Sequence, residues 1–149
     1  MIEEFPLLFQ LFDEVIVPHG VYQEVMDGTQ PFGKTELRQA VDQGIMTLYR
    51  IQNAPFVQKL LGRLHQGELE AIIAAKELDA NFTILDDLLA RQLAGTFLIP
   101  VLGTVGVLRL AKQKKLISDV KSRLDGLLEC GFRIGSPLYE RVLRELGEM

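Results

Sequence analysis

Apolar residues along this chain come in short groups, and their spacing switches between the helical and the extended period. Phe5, Leu8, Phe9 and Phe12 share one face at helical spacing, and Pro6 suits a first helical turn, so Glu3 to Phe12 reads as a core-facing helix. Glu14 to Val17 (EVIV) is a β-branched run closed by Pro18 and reads as a strand. His19-Gly20 turns into a helix from about Val21 to Met26, and the Gly- and Pro-containing run Asp27 to Lys34 is a loop. Thr35 is placed to cap a helix running to about Gln43, which Gly44 stops. Ile45 to Ile51 alternates as a strand, and Pro55 to Leu61 reads as a short helix.

The most legible stretch follows. Gln66-Gly67 opens a helix to about Leu78, Asp79-Ala80-Asn81 turns, and Phe82 to Leu85 is a buried strand. Asp86-Asp87 ends that strand, and a helix covers Leu88 to Ala94. Leu98 to Leu102 is another strand, and Gly103-Thr104 begins a helix over Val105 to Lys115. Ser118 is placed to cap a helix from Asp119 to Cys130, and Ser136-Pro137 opens a last one to about Leu146. Short, continuously apolar strands alternating with helices imply parallel strands covered on both faces, an α/β fold. In such sheets ligands gather at the carboxyl ends of the strands, where Asp86 and Asp87 stand.

Composition narrows this further. The chain has 149 residues, 48% of them hydrophobic, enough for one domain with a real core over 1–149. A net charge of -4 argues against a wholly basic nucleic-acid binder. A single cysteine, Cys130, excludes an internal disulfide and points to a reducing, cytoplasmic setting. No apolar run approaches the roughly 20 residues a membrane span needs, and the acidic start does not read as a secretory signal.

The candidate chemistry lies in carboxylates. With about 100° per residue, Ile72 falls about 40° and Ala75 about 20° from Glu68, so Glu68 is expected on the apolar face of its helix. It sits in the first turn, where it is either a capping acid or a metal-facing one. Glu70 and Glu77 fall on the other side and read as a solvated face. Asp86 and Asp87 either form a turn or need a cation or a basic group nearby, and Arg91 is one helical turn on. Glu24 stands on the early helix between Val21 and Val25. Carboxylates converging at strand ends form a hard-oxygen site of the kind that takes Mg²⁺ or Mn²⁺ rather than zinc. His19, with no second His or Cys near it, is not read as a ligand. From Arg109 to Arg123, Arg109, Lys112, Lys114, Lys115, Lys121 and Arg123 face one acid, Asp119. That run is either a solvated face or a phosphate-backbone footprint.

The phrases LHQGELEAIIAAKEL, TILDDLLARQLA, IPVLGTVGVLRLAKQKKLI and GFRIGSPLYERVLRELGE, in this order, closely resemble the PIN-like proteins of bacteria and archaea, relatives of the toxin ribonucleases of toxin–antitoxin pairs. VIVPHGVYQEV resembles that family's second strand and following helix. The resemblance implies a three-layer α/β/α sandwich on a short, mainly parallel sheet, and acids that hold Mg²⁺ or Mn²⁺ for RNA cleavage. By the same resemblance Glu24, Glu68 and Asp86 are the expected catalytic acids, with Asp87 a further metal ligand and Glu70 a substitute if the register shifts. Arg91, Arg109, Lys112, Lys114 and Lys115 are the expected RNA contacts, and an antitoxin and a second copy of the chain the expected protein partners. One departure stands out: the family opens with a strand ending in Asp, and this chain begins in what should be the helix after it, so an N-terminally incomplete domain is expected. A late recorded start, a catalytically degenerate member that binds RNA or a partner, and a neighbouring subunit filling the gap all account for that departure.

Overall fold

The structure is a computed structural model that describes residues 5–29, 33–53 and 64–149. Helix α1 (Phe5–Leu11) leads into strand β1 (Val15–Pro18), helix α2 (His19–Asp27), helix α3 (Lys34–Asp42) and strand β2 (Met46–Tyr49). Then come helix α4 (Gln66–Leu78), strand β3 (Thr83–Ile84), helix α5 (Leu88–Thr96) and strand β4 (Val101–Leu102). Helices α6 (Thr104–Gln113), α7 (Lys121–Glu129) and α8 (Ser136–Glu145) complete the chain. The fold is mixed α/β with short parallel sheets, the α/β/α class expected from the sequence. The helix expected over Pro55 to Leu61 lies outside the described residues.

The chain forms two compact units, Ile2–Thr104 and Val105–Met149. The first contains all the described strands. They pair as two parallel ladders, β1 with β2 (Val15 opposite Met46, Pro18 opposite Tyr49) and β3 with β4 (Thr83 opposite Val101, Ile84 opposite Leu102). One continuous sheet was expected; the described strands make two. Helix α4 joins them, because it packs on β1, on β3, and on helices α2 and α5. Leu69 and Ile73 are buried on it, and Ile72 and Ala75 enter the core cluster of Leu85, Ala90, Ala94 and Ile99. A second cluster, Val17, Leu37, Ala40 and Met46, lies under α3.

Several boundaries differ from expectation, each for a local reason. Helix α3 starts at Lys34 with Gly33 as its N-cap, at φ 89°, so Thr35 lies inside the first turn and does not cap it. Strand β4 starts at Val101, because Leu98 (φ 58°) takes the left-handed turn that closes α5 while Ile99 N donates back to Ala94 O at 3.0 Å. Asp79 (φ 51°) closes α4 the same way, with Ala80 N on Ala75 O at 3.0 Å. At α7 the expected cap Ser118 donates to Asp119, and Asp119 Oδ1 accepts from Ser122 N at 2.7 Å. In the Val105–Met149 unit, Val107, Leu108, Ala111, Val120, Leu124, Val142 and Leu143 are buried.

Candidate functional site

Helices α2 and α4 pass each other closely, and each receives a glutamate from the other. The first amides of any helix have no intrahelical acceptor. At α2, the Gly20 N–H donates to Glu70 Oε1 at 2.9 Å. At α4, the Gly67 N–H donates to Glu24 Oε1 at 2.8 Å. Gly20 and Gly67 are each the second residue of their helix, and Glu24 and Glu70 stand four and three residues further on. Both glycines are required by space: a Cβ at Gly67 would lie 2.5 Å from Glu24 Oε2, and one at Gly20 would overlap the Glu70 carboxylate.

Glu70 is therefore buried, 5% exposed, and the solvated face expected for it is wrong. The wheel assumed one apolar side, but α2 covers the far side of α4, so α4 is enclosed almost all round. Gln66 Nε2 supplies the second partner of Glu70, on Oε2 at 2.8 Å, so both oxygens of the buried carboxylate are satisfied. Glu77 is also engaged: it accepts from Tyr49 Oη at 2.8 Å and from the Gln52 and Asn53 amides at 2.9 Å. Burial raises its carboxyl pKa, and these bonds outweigh that and hold it below the ordinary Glu range.

Glu68 is half-buried at the start of α4 and accepts a long bond from His65 N at 3.4 Å. Burial, then the negative charge of Asp87, push its carboxyl above the ordinary Glu range; His65 works against this and Glu24 adds to it. Glu24, Glu68 and Asp87 thus share one electrostatic field at the α4 N-terminus.

Asp86 and Asp87 leave β3 in different directions. Asp86 uses both oxygens on Thr104: Oδ1 accepts from Thr104 N at 2.8 Å and Oδ2 from Thr104 Oγ1 at 2.5 Å. Thr104 is 1% exposed and is the first residue of α6, so Asp86 caps that helix from outside. Gly103 lets the side chains approach, since a Cβ there would lie 3.1 Å from Asp86 Oδ1 and 3.5 Å from Arg91 Nη1. Asp87 is the N-cap of α5, accepting from Ala90 N at 2.9 Å. Leu88 and Leu89, next to it, are exposed.

The basic residues divide. Arg91 is exposed on α5. In the Val105–Met149 unit, Lys112 Nζ bonds Glu148 Oε1 at 2.5 Å and Leu146 O at 3.2 Å. Arg109 pairs with Glu145 at 3.1 Å on the surface. Lys114 and Lys115 are exposed.

The sequence profile of the PIN domain matches residues 1–148. The chain belongs to the PIN-domain family. No curated protein and no solved structure matches it significantly. PIN domains have a nuclease-like fold and are generally Mg²⁺- or Mn²⁺-dependent, and members often act on RNA and pair with antitoxins. Among the described residues of this PIN domain, no three His, Cys, Asp or Glu side chains close into a metal-holding group. Mg²⁺ needs fewer: it keeps several waters and takes one or two carboxylates together with substrate phosphates. Glu68 and Asp87 are oxygen donors of the kind Mg²⁺ takes; Glu68 carries one long bond from His65 N and Asp87 one bond from Ala90 N, which leaves each carboxylate room for a further partner. Among the described residues, no helix is long and apolar enough to cross a membrane.

Sequence reasoning brought out Glu24, Glu68, Glu70, Asp86 and Asp87 but missed Gly67, Gly20 and Thr104, the partners of Glu24, Glu70 and Asp86. The signal for the glycines was present as a repeated phrase, HG followed by VYQE and QG followed by ELE, with a Gly second in each helix and an acid a turn later.

Proposed function

We propose that this chain is a metal-dependent ribonuclease that cleaves phosphodiester bonds with Mg²⁺ or Mn²⁺. What supports the reading most is the bond between Glu24 and the first turn of α4, beside Glu68, together with the charge of Asp87 acting on Glu68. Glu24 bonds Gly67 N, one residue before Glu68, and Asp87 raises the carboxyl pKa of Glu68. Glu68 and Asp87 would hold the cation, with Glu24 fixed on the Gly67 amide one residue before Glu68, and Asp86, held by Thr104, as the acid at the strand end. When bound, the cation supplies charge stabilisation at the phosphate and a water of lowered pKa. Glu68 and Asp87 would orient it, with Arg91 of the same unit as an RNA-backbone contact; Lys114 and Lys115 are the RNA contacts proposed for the Val105–Met149 unit. The protein acts in the cytoplasm as a toxin component restrained by an antitoxin, and associates with a second copy of itself.

The test is cleavage of a fluorescent single-stranded RNA with Mn²⁺, Mg²⁺ or EDTA. Cleavage that needs the cation and falls in Glu68→Gln, Asp87→Asn and Asp86→Asn supports the reading. Cleavage indifferent to EDTA, or to all three substitutions, overturns it. A second reading, a non-catalytic PIN module that binds RNA or a partner protein, draws on the engagement of the acids in capping bonds. RNA binding that survives EDTA with no cleavage by either cation would favour it.

A further inference from the structure

The exchange of glutamates between α2 and α4 has a feature that neither helix needs for its own stability. Each acceptor could be replaced by an ordinary N-cap on the same chain segment, as Asp87 does for α5. Instead the α2 terminus is held by α4, and the α4 terminus by α2. The geometry fits only when both contacts form together. Gly20 lies beside Glu70 and Gly67 beside Glu24, so the two helices are antiparallel at the crossing. Sliding one helix along the other by a residue breaks both bonds at once, and it drives the glycines' neighbours into the carboxylates that the missing Cβ atoms make room for.

Of the two contacts, the one at Gly20 is deep and the one at Gly67 borders the acid site. Glu70 is 5% exposed, Gly20 is buried, and Gln66, in the first turn of α4, also reaches Glu70 at 2.8 Å. Glu24 is exposed, and its contact at Gly67 lies one residue before Glu68 in the first turn of α4. The buried half of the exchange therefore sets the position of the half at the site. We propose that Glu70 is a positioning residue: acting through Gly20 and the body of α2, it holds Glu24 against Gly67 and so fixes the register of the corner where α2 meets the first turn of α4, with Glu68 on it. This rests on the reading of that corner as the cation site, but the lock itself is a property of the two helices and is measured without any cation.

The consequence is that a change at Glu70 is felt at Gly67, the far end of the exchange. Backbone amide hydrogen exchange on the full chain reads this directly. In Glu70→Ala, protection of the Gly67 amide falls about tenfold or more, while core amides of Leu37 and Leu124 keep theirs. In Glu70→Gln, whose amide oxygen still accepts from Gly20 N, protection at Gly67 stays within about threefold of the starting protein. Gly20→Ala, which displaces the Glu70 carboxylate while leaving it in the chain, repeats the loss seen in Glu70→Ala. Mn²⁺ titration, followed by water-proton relaxation, is the second readout: Glu70→Ala weakens the cation about tenfold and Glu70→Gln restores most of it. If the starting protein binds no Mn²⁺ but the Gly67 amide responds as described, the lock stands and the cation reading fails. If Gly67 protection is the same in Glu70→Ala and the starting protein, the lock is overturned whatever the cation does. It is equally overturned if Glu70→Gln loses Mn²⁺ as completely as Glu70→Ala with Gly67 undisturbed, because Glu70 would then touch the ion itself. Should Glu70→Ala fail to fold, Gly20→Ala and Glu70→Gln still decide between these outcomes.

Discussion

Replacing Thr104 by Val isolates the contribution of one hydroxyl to the whole β3–α6 connection. Val matches Thr in shape, and Thr104 is 1% exposed, so the substitution opens no cavity and moves no water-facing group. It removes the Thr104 Oγ1 bond to Asp86 Oδ2 (2.5 Å) and keeps the Thr104 N bond to Asp86 Oδ1 (2.8 Å). Hydrogen bonds to a charged group contribute about 1.5 to 3 kcal/mol. Asp86 is exposed and water takes over part of the lost bond, so the lower end applies, about 1.5 kcal/mol. Gly103, whose missing Cβ leaves Asp86 room, keeps the carboxylate where it is, so the loss is that of one bond and not of the cap. Urea unfolding followed by far-UV circular dichroism measures it: the midpoint falls while the slope stays the same. In a double-mutant cycle with Asp86→Ala, the second change costs less than in the starting protein, because the hydroxyl no longer has its acceptor. A Thr104→Val protein within about 0.3 kcal/mol of the starting one, or additive in the cycle, would refute the argument that this bond fixes Asp86.

Other outcomes follow from the same contacts. Glu148→Ala destabilises the chain by about 1 to 3 kcal/mol at pH 7, since Glu148 accepts from the Val120 and Lys121 amides and from Lys112. Burial raises the Glu148 carboxyl, and the bonds from Lys112, Val120 and Lys121 more than reverse that and hold it below the ordinary Glu range. The stabilisation is therefore present above the unfolded pKa and disappears as pH falls through the depressed folded one, so unfolding curves of Glu148→Ala and the starting protein converge in acid. Glu68→Gln acts with the opposite sign: its folded pKa is raised, so ionisation costs stability as pH rises from the unfolded value through the folded one. The metal-free Glu68→Gln protein is accordingly more heat-resistant than the starting protein at pH 7, and equal or lower resistance would count against the shared field. If single-stranded RNA binds, Lys114→Ala and Lys115→Ala each flatten the dependence of log affinity on log salt by about 0.7. Lys112→Ala, already spent on Glu148 and Leu146, lowers the melting temperature and leaves that slope alone.

Most of the fold was legible because burial and period agree in it. Helix α4 matches its expected span, Gln66–Leu78, since a helix-forming stretch with an apolar centre, Ala71 to Ala75, is bounded by an opening Gly and by Asp79, which accepts a left-handed turn. Strands β2, β3 and β4 were shorter than their apolar runs. Leu98 is as hydrophobic as its neighbours but 89% exposed, because α5 needs a residue there to turn back and donates the Ile99 amide to Ala94. Hydrophobicity records what a residue prefers, and the closing of a helix can override it. The division into two ladders was not legible either: strand pairing depends on residues distant in sequence, and nothing in Val15–Pro18 or Thr83–Ile84 states which neighbour each takes.

The site shows the same limit in sharper form. A helical wheel assigns one inside and one outside, and on that assumption Glu68 faced the core and Glu70 faced water. The outcome is nearly the reverse, with Glu70 at 5% exposure and Glu68 half-buried, because a second helix, α2, occupies the side the wheel gave to solvent. A carboxylate can face a neighbouring helix without a cation where that helix offers a backbone donor and no side chain intervenes. Gly20 meets both conditions for Glu70, and Gly67 meets them for Glu24. The acids of this chain were therefore readable one at a time, as residue types suited to hard cations. Their division into those that hold helices and those left to meet a ligand was written in the glycines opposite them. Glu68, with the long His65 bond, and Asp87, with one oxygen on Ala90, each keep acceptor capacity that a cation or cationic ligand could use.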